Sequence, residues 1–208
     1  MKKHTEEILN ILSVEYAGTG SALKFDSVWQ LLVAVILSAQ TNDNQVNKIT
    51  ADLFAKYPGP AEMKELTPQQ LEPMIATCGL YKNKAKNIIA TAHMICDLYD
   101  GRVPADKELL VQLPGVGGKT ANVVLAVGFG IPALAVDTHV QRVSNRLGLA
   151  NSKTPEQTEQ QLMQIIPKEK WADAHHWLIW HGRKVCSARR PQCQSCPLRE
   201  LCPSVQID

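Results

Sequence analysis

A chain of 208 residues with 45% hydrophobic and 20% charged residues is long enough for one large domain or two small ones, each with a packed core. That balance excludes the low-complexity and disordered classes. The formal net charge is only +2, so any case for nucleic acid must rest on where the basic residues sit.

The opening MKKHTEEILN turns charged after its two lysines, which does not fit a signal peptide. The longest apolar run, Val28 to Ala39, is too short to span a bilayer and contains Gln30, so it reads as a buried helix. Both features predict a soluble, cytoplasmic protein with no membrane partner. Further along, Ala, Leu and Gln dominate at helical spacing, including around Asn122-Val123-Val124-Leu125, and the chain reads as nearly all helix. Breaks fall at Gly18-Thr19-Gly20, Tyr57-Pro58-Gly59-Pro60, Cys78-Gly79, Gly101, Pro114-Gly115, Gly130-Ile131-Pro132 and Gly148. Thr67-Pro68 and Thr154-Pro155 each precede a glutamine three residues after the threonine, which predicts capped helix starts. There is no internal repeat and no flexible linker.

Between Glu108 and Asp137 the only charged residue is Lys119. It follows Leu113-Pro114-Gly115-Val116-Gly117-Gly118, a stretch that ends one helix, turns tightly, and starts another near Lys119 or Thr120. The N–H groups and dipole of that second helix suit a phosphate, and glycines such as Gly115 and Gly117 allow the backbone to come close. Taken alone, the turn reads more readily as a helix connection beside a solvated lysine. Asp137 precedes Thr138-His139-Val140, where an aspartate caps well.

Four of the six cysteines crowd into Cys186-x6-Cys193-x2-Cys196-x5-Cys202, while Cys78 and Cys96 lie apart and read as buried thiols. Clustered thiols favour a metal site over a disulfide framework. Ligand chemistry alone leaves zinc and an iron–sulfur cluster open, although zinc ribbons usually pair their cysteines differently. No acid occurs from Ala174 to Arg199, whereas Arg183, Lys184, Arg189, Arg190 and Arg199 all do. Arg189 and Arg190, between the first two cysteines, are the best candidates for phosphate contacts. His139, His175 and His176 read as capping or interface residues rather than ligands.

LPGVGGKTANVVLAVGFGIPALAVDTHVQRVSNRLG closely resembles the helix-hairpin-helix DNA glycosylases of the endonuclease III family. So do LLVAVILSAQTNDNQVNK, GLYKNKAKNI and every interval of the cysteine loop, so that the likeness runs from about Phe25 to Cys202. It implies a bifunctional glycosylase and abasic-site lyase of base excision repair, monomeric, acting on double-stranded DNA with oxidised pyrimidines or abasic sites. The implied fold is all-α with two domains. A six-helix barrel containing the hairpin spans 21–131, and an iron–sulfur domain is built from 1–20 and 132–208, with the active site in the cleft between them.

By the same resemblance Lys119 is the nucleophile that forms a Schiff base, and the strand breaks by β-elimination. Burial among the apolar residues around it would keep that amine unprotonated. Asp137 would stabilise the cationic sugar at the transition state. Gln40 would plug the gap left by a flipped base and Leu80 would wedge the opposite strand. Lys82, Lys84 and Lys86 flank the wedge, to touch phosphate or to form a solvated stripe. Cys186, Cys193, Cys196 and Cys202 would ligate a 4Fe–4S cluster.

Mismatch-specific relatives lack a lysine at the position of Lys119, and the adenine enzymes among them carry a further C-terminal domain where this chain stops at Asp208. A non-catalytic iron–sulfur DNA-binding or redox protein would need neither Lys119 nor Asp137. In one departure, the family often has arginine before the lysine where this chain has Gly118, which predicts one phosphate contact fewer.

Overall fold

The computed structural model describes residues 2–205, and among these every regular element is helical. No helix among them is long and apolar enough to cross a membrane. The chain divides into two compact units, Ser21–Ile131 and Met1–Gly20 with Pro132–Asp208.

The Ser21–Ile131 unit is organised around α2 (Val28–Ser38), in which Trp29 through Leu37 are all buried. A helix apolar on every side belongs at the centre of a bundle, and α2 packs against α3 (Asp43–Lys56), α6 (Tyr81–Leu98) and α8 (Gly118–Val123). Its one polar core residue is satisfied locally. Gln30 accepts from the Asp26 N–H at 2.8 Å and donates to the Pro58 carbonyl at 3.4 Å. The one-turn helices α4 (Pro60–Met63) and α5 (Pro68–Leu71) brace α6. α5 starts with the expected capping box of Thr67 and Gln70. A further single turn, α7 (Lys107–Leu110), leads into the glycine turn before α8. α8 then widens into a π turn over Val124–Gly128. At Gly128 a Cβ would lie 3.0 Å from Val28 and 3.1 Å from Leu31, so those side chains would have to shift to admit one.

The other unit pairs α1 (Lys2–Glu15) with α11 (Trp171–Lys184), which packs on α9 (Thr138–Arg146). α10 (Pro155–Ile165) starts at the predicted Thr154 cap and rests on α9. Ile8, Leu12, Tyr16, Val140, Val143, Leu162 and Leu178 form the core, and Cys186, Cys196 and Cys202 pack against its edge. Cys78 is buried as expected, but Cys96 is only partly so, because α6 is amphipathic and its outer face is open there.

Candidate active-site segments and the cysteine loop

The hairpin is anchored by Leu113 and Val116, both buried, while the backbone between and after them is exposed. Thr91 donates its hydroxyl to the Pro114 carbonyl at 3.0 Å and ties the turn to α6. Gly115 has φ +79°, and a Cβ on it would meet the Asn87 amide at 2.8 Å, so both backbone and space demand glycine. Gly117 is different. Its φ of −93° is open to any residue and no atom crowds its Cβ position. It is the N-cap of α8 with no side-chain cap, leaving the first N–H groups of the helix facing outward.

Lys119 is the second residue of α8 and is exposed. The burial expected for it is not found. Its neighbours Ala121 and Asn122 turn into the unit, and the first-turn position carries Lys119 out.

Asp137 ends the buried run Ala133–Val136 and is half-buried. His175 holds this run by a hydrogen bond from Nδ1 to the Ala135 carbonyl at 2.7 Å. One carboxylate oxygen of Asp137 accepts the N–H groups of both His139 and Val140 at 2.8 Å. The residue is therefore the cap of α9 that its sequence position suggests.

Gln40 and Leu80 are two of the three non-glycine residues with positive φ among those described, at +57° and +59°. Both are exposed, Leu80 at 58%, which is incompatible with a core leucine. An L side chain in this region costs about 1–2 kcal/mol. The two turns touch. A Cβ on Gly79 would lie 3.3 Å from the Gln40 carbonyl, and the Gly79 N–H donates to Thr41 Oγ1 at 3.3 Å. Lys82 and Lys86 are exposed beside them. Lys84 is neither solvated nor free for phosphate. It is 5% exposed and its ammonium donates to main-chain carbonyls of the α2 end. Burial pushes its pKa below the ordinary lysine value, partly opposed by Cys78.

Cys186, Cys193, Cys196 and Cys202 are all free, half-buried, and line one cavity. Among the described residues no three metal-ligating side chains close on a single-ion point. Zinc would need its thiolates about 2.3 Å from one centre. Four thiols lining one hollow suit a metal centre that all four would hold, and their sulfurs lie beside hydrogen-bond donors. Arg146 Nη1 reaches Cys186 Sγ at 3.4 Å, and His181 Nε2 lies 3.7 Å from Cys196 Sγ. His181 is pushed down to about 4 by burial, and its Nδ1 meets the Tyr16 hydroxyl at 3.0 Å. A thiolate can only accept, so Nε2 is the nitrogen that carries the hydrogen when Tyr16 donates to Nδ1. Burial raises the Cys196 and Cys202 thiols, a cost that metal coordination reverses.

Arg189 and Arg190 are exposed on the first loop between the cysteines. That loop is held from α9. Arg146 donates to the carbonyls of Ser187 at 2.7 Å and Ala188 at 2.8 Å, and Arg142 donates to those of Cys186 and Gly182. Neither arginine stood out in the sequence, because main-chain acceptors some forty residues away leave no pattern in the side chains.

Residues 33–168 match the HhH-GPD superfamily of base excision DNA repair proteins, and residues 186–202 match the iron–sulfur binding domain of endonuclease III. Similar chains include endonuclease III of Escherichia coli strain K12, 47% identical over 196 residues, covering 94% of this chain and 93% of that one. The chain belongs to the endonuclease III family. Endonuclease III of Rickettsia conorii is 48% identical at the same coverage. A solved endonuclease III, trapped as a covalent intermediate with DNA in an estranged-adenine complex, superposes with a TM-score of 0.94 at 45% identity, over 98% of this chain and 96% of that one. As a member of the endonuclease III family the protein is a DNA glycosylase and abasic-site lyase of base excision repair and carries a 4Fe–4S cluster.

Proposed function

We propose that this enzyme binds duplex DNA in the cytoplasm and removes oxidised pyrimidines through Lys119. The amine attacks C1′ of the damaged nucleotide, the glycosidic bond breaks, and the base leaves with a proton. The sugar ring opens to a Schiff base. Loss of a C2′ proton then expels the 3′ phosphate by β-elimination, and water hydrolyses the imine to return the lysine. Asp137 stabilises the positive charge that builds on the sugar and assists the proton transfers.

The observation that carries this reading is the isolation of Lys119, the sole charge between Glu108 and Asp137, exposed one residue after an open glycine turn. The attacking amine must be unprotonated. Because Lys119 is exposed in the free protein, DNA itself supplies the desolvation when it covers the α8 N-terminus. The endonuclease III that was trapped covalently on DNA supports the same chemistry here.

Gly115 and Gly117 let the hairpin backbone approach a phosphate. Gln40 fills the space of the flipped nucleotide and Leu80 wedges the opposite strand. Cys186, Cys193, Cys196 and Cys202 hold the cluster, which keeps the Arg189–Arg190 loop in shape against the DNA backbone. The protein acts as a monomer.

Borohydride trapping tests the assignment. With a thymine-glycol duplex, the wild type should give a covalent protein–DNA band and Lys119→Gln none, while Lys119→Gln still binds DNA. Base release without a trapped band would replace the Schiff base by hydrolytic excision. Binding without release on any lesion would make the protein a non-catalytic DNA-binding one.

A further inference from the structure

A buried lysine ammonium is costly unless it is well paired, and among the described residues Lys84 has no carboxylate partner. Its ammonium donates to the Leu37 carbonyl at 2.8 Å, the Ala39 carbonyl at 2.5 Å and Thr41 Oγ1 at 3.3 Å. Three donors thus meet three oxygens. Leu37 and Ala39 lie at the C-terminal end of α2, where the last carbonyls lack helical partners and the helix dipole is negative. A cation fits that place, and it arrives there because helical side chains lean toward the N-terminus of their own helix.

The position has a consequence for the residues around it. Lys84 sits in the first turn of α6, and its own N–H donates to the Leu80 carbonyl at 3.0 Å. Leu80 starts α6 in a left-handed conformation with no side-chain cap. Gln40 follows directly on Ala39 and is left-handed too. Thr41 Oγ1 accepts from both the Lys84 ammonium and the Gly79 N–H. One side chain therefore bridges the turn bearing Gln40 and the turn bearing Leu80, and both turns are strained. Strained backbone persists only where surrounding contacts over-determine it.

We propose that Lys84 is a positioning residue for base extrusion, locking the Gln40 and Leu80 turns into one rigid unit that enters the duplex preformed. The proposal rests on the reading of Gln40 as plug and Leu80 as wedge. Without the clamp, the two turns must be ordered when DNA binds, and that ordering subtracts from the step that unstacks the base. The loss appears only where a stacked, paired base must be displaced.

Single-turnover base excision by Lys84→Met tests this on two substrates, a duplex with thymine glycol opposite adenine and the same strand annealed to a complement lacking the opposite nucleotide. We expect a loss of tenfold or more on the duplex and less than threefold on the bulge. In a Gln40→Ala/Leu80→Ala background, adding Lys84→Met should produce no further loss. Equal losses on both substrates, a further loss in that background, or an unchanged duplex rate would overturn the proposal. If Gln40→Ala/Leu80→Ala itself cleaves the duplex at the wild-type rate, the plug-and-wedge reading fails first and the proposal falls with it. Thr41→Val, which removes only the shared hydroxyl, covers the case in which Lys84→Met does not fold. It should show the same duplex-specific loss at several-fold, and equal effects on both substrates would refute the clamp.

Discussion

At Asp137 one carboxylate oxygen accepts two N–H groups, and that task needs an oxygen but no charge. Asparagine caps helices as well as aspartate does. Asp137→Asn should therefore leave the urea midpoint close to wild type, while Asp137→Ala should lose about 1 kcal/mol. Both should lose roughly 10²- to 10⁴-fold in single-turnover rate, the range for a positioned acid–base group. A fully active Asp137→Asn would reduce the residue to a cap. The hairpin glycines separate in the same manner. Gly115→Ala meets Asn87 and a positive φ, and should cost about 1–3 kcal/mol of stability. Gly117→Ala meets nothing inside the protein, so its cost should stay under about 1 kcal/mol while DNA affinity falls.

At the scale of elements, α9 does two jobs from opposite ends. Its N-terminus is capped by Asp137, and its last turn sends Arg146 into the cysteine loop. The segment 186–190 has little regular structure of its own, and besides its cysteine it is tied down by these arginine contacts and by the Ser187 hydroxyl bond to the Arg190 carbonyl. A loop held this way can present Arg189 and Arg190 at fixed positions. If each neutralises one phosphate, Arg189→Ala and Arg190→Ala should each flatten the log–log salt dependence of DNA binding by about 0.9. Arg146→Met removes the loop contacts and the donor to Cys186 Sγ together, so DNA affinity should fall and the visible absorbance of the cluster should change with it. Unchanged slopes in both single variants would move the phosphate contacts elsewhere.

Across the whole chain, the parts legible in the sequence are those encoded locally. Glycine turns, threonine–proline caps, the apolar run of α2 and the cysteine intervals are each written within a few residues, and each was found where expected. Lys84, Arg142 and Arg146 were not legible, because their acceptors are distant backbone carbonyls and a buried lysine has the same letter as a solvated one. The exposure of Lys119 was missed for the opposite reason, since apolar flanks suggested burial and helix phase decided against it.

The histidines of α11 extend the argument to stability. His176 packs edge-on against His175 with ring centroids 5.0 Å apart. Burial lowers its pKa below the ordinary 6.5, with Asp173 opposing. Above pH 6.5 it is neutral in both folded and unfolded chains and its contribution is intact. Below that, the unfolded chain takes the proton first, so stability falls as pH falls toward the folded value. Denaturation midpoints measured downward from pH 7 should therefore decline more steeply for the wild type than for His176→Gln. Parallel curves would mean that the ring gains its proton as easily in the folded protein as in water, and that its packing against His175 imposes no desolvation.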